Sequence, residues 1–317
     1  MQQVIESGTT DSYDPDHFNA QPGQWHVDVN QLSGSPFNSR IRFLKLPGVT
    51  VYDNRWGCAS LVSGESPPDM LMIGTDAHPE TSTVRWCGRK AHRRLFACAS
   101  EGKAIDFSVS PQAQDVVVLI EPDLLQKVCG AEAVDLIRSN AHLEFATAAG
   151  DSLVDLILKF ARYSETHASR LQQPFFGDMI QSKLFRALED CFSHLHSAGT
   201  LSPGSRDEAV SLAMLHARES RGHTTAWNMA QAAGVSQRML EYAFKQALDL
   251  TPGKYLVLTR LNGAHHALVD ADRSTTTVTD IALRWGFNHL GRFSAAYREL
   301  FNELPSSTLG RPLHLRR

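Results

Sequence analysis

Two periodicities divide this chain. Between about residues 38 and 120 the apolar residues come in short runs: Ile41–Leu46, Val49–Tyr52, Met70–Ile73, Thr83–Cys87, Arg94–Cys98, Ile105–Val109 and Val116–Ile120. Turn formers stand between them, at Pro47-Gly48, Pro67-Pro68-Asp69, His78-Pro79, Gly88, Gly102 and Pro111. Short strands at intervals of about ten residues predict an all-β barrel or jelly roll. Beyond Pro122 the period becomes helical. Leu153, Leu156, Ile157 and Phe160 form one stripe, and Leu184, Leu188, Phe192 and Leu195 form another, with a break at Gln172-Gln173-Pro174. A stripe does not say what it buries against, so these helices either pack within their own domain or present a dimer face. Thr200–Ser205 (TLSPGS) reads as a linker, and Ser205 with Glu208 forms an S-x-x-E capping box that opens the next helix. The predicted class is α+β. A β-rich regulatory domain spans 1–130, a helical linker and candidate dimerisation segment 131–204, and an all-helical domain 205–317.

The last domain carries a repeat. Residues 226–248 (AWNMAQAAGVSQRMLEYAFKQAL) read as two short helices joined at Gly234, where a tight turn needs positive φ. Thr225 and Ser236 are placed to cap them, Ala230 lets them cross closely, and Leu240 and Phe244 face inward. This leaves Gln237, Arg238, Glu241, Tyr242 and Lys245 on the outer side, as in a helix that enters a major groove about 12 Å wide. One such pattern is common among helical hairpins. A second copy at 277–301 (TVTDIALRWGFNHLGRFSAAYRELF) is what gives it weight. Ile281-Ala282 matches Met229-Ala230, Gly286-Phe287 matches Gly234-Val235, and Ala296-Tyr297-Arg298 matches Ala243-Phe244-Lys245. Between the copies, Thr251-Pro252 starts a connecting helix with Pro at its first position, and Val257, Leu261, Ala264 and Leu268 make its inner stripe. Two readers on one stiff connector predict contact with consecutive major grooves, roughly one helical turn (~34 Å) apart.

Charge agrees once it is divided along the chain. The formal net charge is −3, but residues 201–317 carry +4 and residues 1–200 carry −7. The positive part lies where DNA contacts are predicted, although +4 is modest. Apolar residues at 42% and charged residues at 21% are ordinary for a globular protein. The first thirty residues hold no secretory apolar region, and the longest aliphatic run, Val116–Ile120, is far too short for a membrane span. A cytoplasmic protein is expected, with no membrane partner. Five cysteines at positions 58, 87, 98, 129 and 191 form no close pair, which fits reduced structural thiols.

The segment TPGKYLVLTRLNGA, flanked by the two units, resembles the signature of the AraC/XylS family of bacterial transcription regulators. The tail RWGFNHLGRFSAAYRELFNELPSSTL is similar to the branch that includes ethanolamine-operon regulators. The clear match covers about 207–312; the first half is similar to the family's effector-binding and dimerisation half far less specifically. The resemblance implies recognition helices at about 236–248 and 289–301, promoter DNA and RNA polymerase as partners, homodimerisation and, as the output, activation. The chain departs from the pattern at Tyr242, where many members carry a basic residue, and at Asn302, which replaces the usual Gly but tolerates the left-handed conformation. Glu241 lies outward and repels phosphate unless it accepts from cytosine N4. The candidate DNA contacts are Ser236, Gln237, Arg238, Glu241, Tyr242, Lys245, Asn288, His289, Arg292 and Arg298. Arg238 and Arg292 are the candidate base readers, because a guanidinium grips guanine O6 and N7 with two hydrogen bonds. Lys245 and Arg298 suit phosphate.

A β domain joined to a DNA reader invites a sensor, since barrels enclose ligand cavities. Trp56, Arg85, Trp86 and Arg89 are the candidate effector contacts. The run Arg85–Arg94 is the densest positive segment and reads either as an anion site or as a hairpin with solvated ends. No metal or cofactor is expected. The chain lacks a cupin-like H-x-H with a following Glu, a G-x-S-x-G elbow, a Walker A loop and a G-x-G-x-x-G turn. Its histidine pairs, His194/His196 and His265-His266, do not have the i, i+4 spacing of a helical metal site, and most of its histidines are expected at the surface. Three readings follow: an effector-responsive regulator, a regulator controlled by a protein partner, and an enzyme domain fused to a DNA reader, for which no catalytic set is visible. A sealed, partly apolar cavity would favour the first, and a filled core with an exposed apolar patch the second.

Overall fold

The computed structural model describes residues 6–12, 25–86, 89–167, 170, 174–193, 195 and 205–310. The first half contributes strands β1 (Glu6–Ser12), β2 (His26–Gln31), β3 (Ser39–Leu46), β4 (Val49–Arg55), β5 (Ser60–Glu65) and β6 (Leu71–Asp76). These are followed by β7 (Val84–Trp86), β8 (Arg89–Lys90), β9 (Leu95–Ala99), β10 (Ala104–Val109), β11 (Gln114–Ile120) and β12 (His142–Glu144). They sort into two antiparallel sheets, ordered β1-β3-β4-β11-β6-β9-β12 and β2-β5-β10-β7-β8. The sheets face each other across one core. Phe43, Tyr52, Met72 and Val117 from the first meet Val29, Val62, Trp86 and Phe107 from the second.

The outer face of the seven-stranded sheet is also covered. Helices α1 (Pro122–Cys129), α2 (Ala131–Ser139), α3 (Thr147–Thr166) and α4 (Pro174–Ser193) lie on it. Val116, Val118 and Ile120 of β11 share their core with Leu153, Ile157 and Leu188, while Val117 and Leu119 point into the sandwich. Burial on both faces explains why β11 reads as an unbroken aliphatic run.

The two helical stripes are therefore intradomain. Leu153, Ile157, Phe160, Leu184, Leu188, Phe192 and Leu195 are buried in this core and Leu156 packs on it, so the dimer-face reading of those residues gives way to packing against the sheet. No separate linker layer begins at residue 131, because β12 pairs with β9 and α2–α4 belong to the same core. The breaks at Gln172-Gln173 and most of the 200–205 linker fall outside the described residues.

The second half is helical: α5 (Ser205–Glu219), α6 (Ala226–Ala232), α7 (Gln237–Leu248), α8 (Pro252–Asp270), α9 (Val278–Arg284), α10 (Leu290–Phe301) and α11 (Pro305–Gly310). Helix α8 runs through its centre and touches α5, α6, α7, α9, α11 and β2. That position explains why its buried residues, Tyr255, Leu258, Leu261, Asn262 and His265 among them, do not keep to one stripe. Val257, predicted on the inner stripe, is only partly buried. His265 is 3% exposed and bonds Tyr297 Oη at 2.7 Å, and His142 is 2% exposed, so both depart from the surface placement expected of histidines.

This helical domain docks on the outer face of the five-stranded sheet. Leu32 and Leu61 belong to its core rather than to the sandwich. Asn262 on α8 clamps the backbone at the end of β2, accepting from Gln31 N–H at 2.8 Å and donating to Gln31 C=O at 2.9 Å. Gln31 Nε2 donates to Leu300 C=O at 2.8 Å, Asn302 Nδ2 to Gly34 C=O at 2.8 Å, and Arg218 pairs with Asp106 at 2.8 Å. Among the described residues no helix is long and apolar enough to cross a membrane, and no cluster of His, Cys, Asp or Glu is placed to hold a metal. Among the described residues Cys58, Cys129 and Cys191 are free thiols; Cys87 lies outside the described residues.

Candidate nucleic-acid interface

The repeat in the sequence is a repeat in hydrogen bonding. Helix α6 is capped by Thr225, whose side chain accepts from Asn228 N–H, and α7 by Ser236, which accepts from Met239 N–H. Between them Gly234 sits at φ 65°, and Val235 N–H returns to Ala230 C=O at 3.0 Å. In the second unit Gly286 sits at φ 76° and Phe287 N–H returns to Ala282 C=O at 2.9 Å. These are the same positions of the same turn. Thr277 and Asp280 form a full capping box at the start of α9, which holds the Asp280 carboxyl below its usual pKa. The extra residue of the second copy lies in the turn, where Asn288 and His289 precede α10 and His289 makes no side-chain cap. Both second helices end on a non-glycine residue in the left-handed region, Asp249 at φ 56° and Asn302 at φ 60°.

Inward and outward faces separate cleanly. Leu240, Ala243 and Phe244 of α7, and Phe293, Tyr297 and Leu300 of α10, are buried. All ten residues predicted to meet DNA are exposed: Ser236, Gln237, Arg238, Glu241, Tyr242 and Lys245 on the first unit, and Asn288, His289, Arg292 and Arg298 on the second. Several of them are already engaged. Gln237 Nε2 donates to Glu241 at 3.1 Å, Lys245 pairs with Asp249, and Gln246 Nε2 donates to Tyr242 Oη at 2.8 Å. The Arg206 guanidinium, from α5, lies 5.3 Å from the centre of the Tyr242 ring. Two apolar side chains share this surface and were not singled out in the sequence: Met239 is 38% exposed and Leu290 is 39% exposed. Their exposure depends on how each helix is rotated, which no single-residue signal reveals.

The four candidate effector residues do not form one site. Side chains alternate along a strand, so Arg85 points away from the sandwich while Val84 and Trp86 point into it. Trp56 and Trp86 are 2% exposed core residues; Trp86 stacks on Phe107 with centroids 4.2 Å apart, and Trp56 Nε1 donates to Asp115 at 2.6 Å. Arg89 lies opposite Trp86 at the sheet edge. Arg85 reaches the helical domain instead and donates to Gln246 C=O at 2.9 Å.

Known proteins agree with the helical half first. A helix-turn-helix domain model matches residues 229–311. The probable thc operon regulatory protein of Rhodococcus erythropolis is 28% identical over 240 residues, covering 74% of this chain and 69% of that protein. The XylDLEGF operon transcriptional activator of Pseudomonas putida is 40% identical over 81 residues, 26% of this chain and 25% of that one. A solved structure of a probable AraC family transcriptional regulator from Rhodopseudomonas palustris is 34% identical, covering 33% of this chain and 98% of that one, with a TM-score of 0.31. With its two capped helix-turn-helix units and these sequence matches, the chain belongs to the AraC/XylS family of DNA-binding transcription regulators.

Proposed function

We propose that this regulator reads two consecutive major grooves of a promoter with α7 and α10 and activates transcription in response to a small-molecule effector bound by its first half. The observation that supports it most is the repeated turn geometry, which presents the outer faces of both second helices to solvent. Arg238 and Arg292 read base edges, while Gln237, Asn288 and His289 add contacts near the helix starts. Lys245 and Arg298, at matching positions of the two units, meet phosphate, and Ser236 caps the first reader. Glu241, already accepting from Gln237, is oriented by that bond toward a base-edge donor. Arg206 over Tyr242 restores from α5 a positive charge at the position where the family pattern has a basic residue. Met239 and Leu290 suit contact with thymine methyl groups. Activation is carried over from the named activator of Pseudomonas putida, with RNA polymerase as the partner. Homodimerisation belongs to the same reading and uses residues other than the buried stripes of α3 and α4.

The test is selection of a preferred duplex by the full-length protein, followed by anisotropy titrations. Arg238→Ala and Arg292→Ala should each weaken binding to the selected duplex by about 1–3 kcal/mol and relax preference at one base position. Lys245→Ala should weaken all duplexes alike and reduce the salt slope by about one. No enriched sequence, or both arginine variants binding with unchanged preference, would overturn the reading.

A further inference from the structure

We propose that Arg260 of α8 is a positioning residue for DNA reading. It ties the turn that enters the first helix-turn-helix unit to the turn inside the second, and so fixes the half-site spacing that the protein accepts. This rests on the two-groove reading above and assigns its geometry to one side chain.

A shared helix fixes how far apart two units stand, but not how each is rotated about it. Contacts across the helix must set that. Arg260 is half-buried on α8. Its stem lies over Gly222, in the turn between α5 and α6, so closely that a Cβ on Gly222 would stand 2.6 Å from Arg260 Cγ. Its head reaches the second unit. Nη1 donates to Gly286 C=O at 3.4 Å, and the guanidinium lies 5.2 Å from the centre of the Phe287 ring. The two turns also meet directly, since a Cβ on Gly286 would stand 3.1 Å from Cε1 of His223, the residue after Gly222. Nearby on α8, the Trp285 ring covers Gly263, where a Cβ would stand 2.1 Å from it, so the second unit is seated on the helix at another point.

The two units differ here, although their turns match. Gly234 holds in the first turn the place that Gly286 holds in the second, and a Cβ on Gly234 would meet nothing within 4 Å. Turn geometry alone therefore accounts for Gly234, whereas Gly286 also lies against Arg260 and His223. Phe287 stands where the first unit has Val235, and only the aromatic side chain offers the guanidinium a face. Units held in one orientation bind best at one spacing, because seating the first presents the second to its groove at high effective concentration. One added base pair moves the second groove by about 3.4 Å and turns it by about 34°. A locked joint cannot follow that change, and a loosened one follows it in part.

The experiment uses the full-length protein and the duplex enriched by selection. Companion duplexes carry one base pair more or fewer between the half-sites, or one half-site alone. The wild type should lose about tenfold or more in affinity on either change of spacing. Arg260→Met keeps the stem and removes the head. It should bind the selected duplex more weakly, lose no more than about threefold on the same changes, and bind single half-sites as the wild type does. Arg260→Lys, which keeps a cation over Phe287, should fall between the two. Phe287→Leu, with an aliphatic residue as at Val235, should copy Arg260→Met, and the double variant should be no more tolerant than either. In the free protein, Arg260→Met should quicken amide exchange at Gly222 and Gly286 together by about fivefold or more, with Gly234 unchanged. Should Arg260→Met not fold, Phe287→Leu decides by the same measurements. The proposal is overturned if Arg260→Met keeps the wild-type spacing dependence, if it weakens single half-sites as much as the full duplex, or if exchange at both glycines is unchanged. Failure of the two-groove reading would show separately, as absence of any enriched duplex, and the exchange measurement would still decide whether Arg260 ties the turns.

Discussion

Asp115 is a carboxylate sealed between two sheets, with 0% exposure. Asn54 Nδ2 donates to one of its oxygens at 2.9 Å and Trp56 Nε1 to the other at 2.6 Å. Burial nevertheless pushes its pKa up to about 7, helped by the charges of Asp76 and Asp53 on the neighbouring strands. The folded protein then holds this proton more tightly than the unfolded chain does. The stabilisation is complete below the ordinary carboxylate pKa of 3.8 and is lost as pH rises to about 7. Asp115→Asn should fold, because Asn54 Oδ1 makes no bond and a flip of that amide can accept from the new one. The variant should gain stability relative to wild type between about pH 5 and about pH 8, by at least about 1.4 kcal/mol. Urea melts of both proteins at those two pH values check it, and parallel pH profiles would contradict it.

The second helices of the two units, α7 and α10, offer a matched pair of tests, because each ends on a side chain in left-handed backbone. Asp249 is 85% exposed at its side chain and holds only an exposed ion pair with Lys245, which contributes little. Asp249→Gly should therefore stabilise the protein by up to about 1 kcal/mol by relieving the Cβ of its strain. Asn302→Gly relieves the same strain but loses the bond to Gly34 C=O, so its gain should be smaller or absent. Equal gains in denaturant melts would mean that the Asn302 bond adds nothing. The turn logic of these units was legible in the sequence because it is local. Thr225, Gly234, Ser236, Thr277, Asp280 and Gly286 act within four residues of themselves. The strands were less legible. β3, β4, β6, β7, β9, β10 and β11 coincide with apolar runs, but β1 (ESGTTDS), β2 (HVDVNQ) and β5 (SLVSGE) are polar or small-residue strands, and only their pairing partners make them strands. The effector candidates were misgrouped for a related reason: adjacent strand residues such as Arg85 and Trp86 belong to opposite faces.

At the scale of the molecule four layers are stacked: helices, seven strands, five strands and the DNA-binding helices. The contacts that join the last two layers bridge large sequence separations, Gln31 to Asn262, Gln31 to Leu300 and Asn302 to Gly34, so no local pattern announces them. Asn262→Ala would leave both backbone groups of Gln31 unmatched in the docked state, which favours separation. Amide exchange at Gln31 should quicken by about tenfold or more, while exchange within β11 stays unchanged. Unchanged exchange at Gln31 would mean that the clamp does not hold the domains together. The clamp has one more consequence. β2 is an edge of its sheet, and α8 lies along it like a cover, with the Asn262 amide standing in for the next strand at Gln31. A β half cut free of its DNA reader uncovers that strand together with Leu32 and Leu61, which makes it a template for pairing with its own copies. The helical half thus acts as a built-in guard against aggregation of the β half.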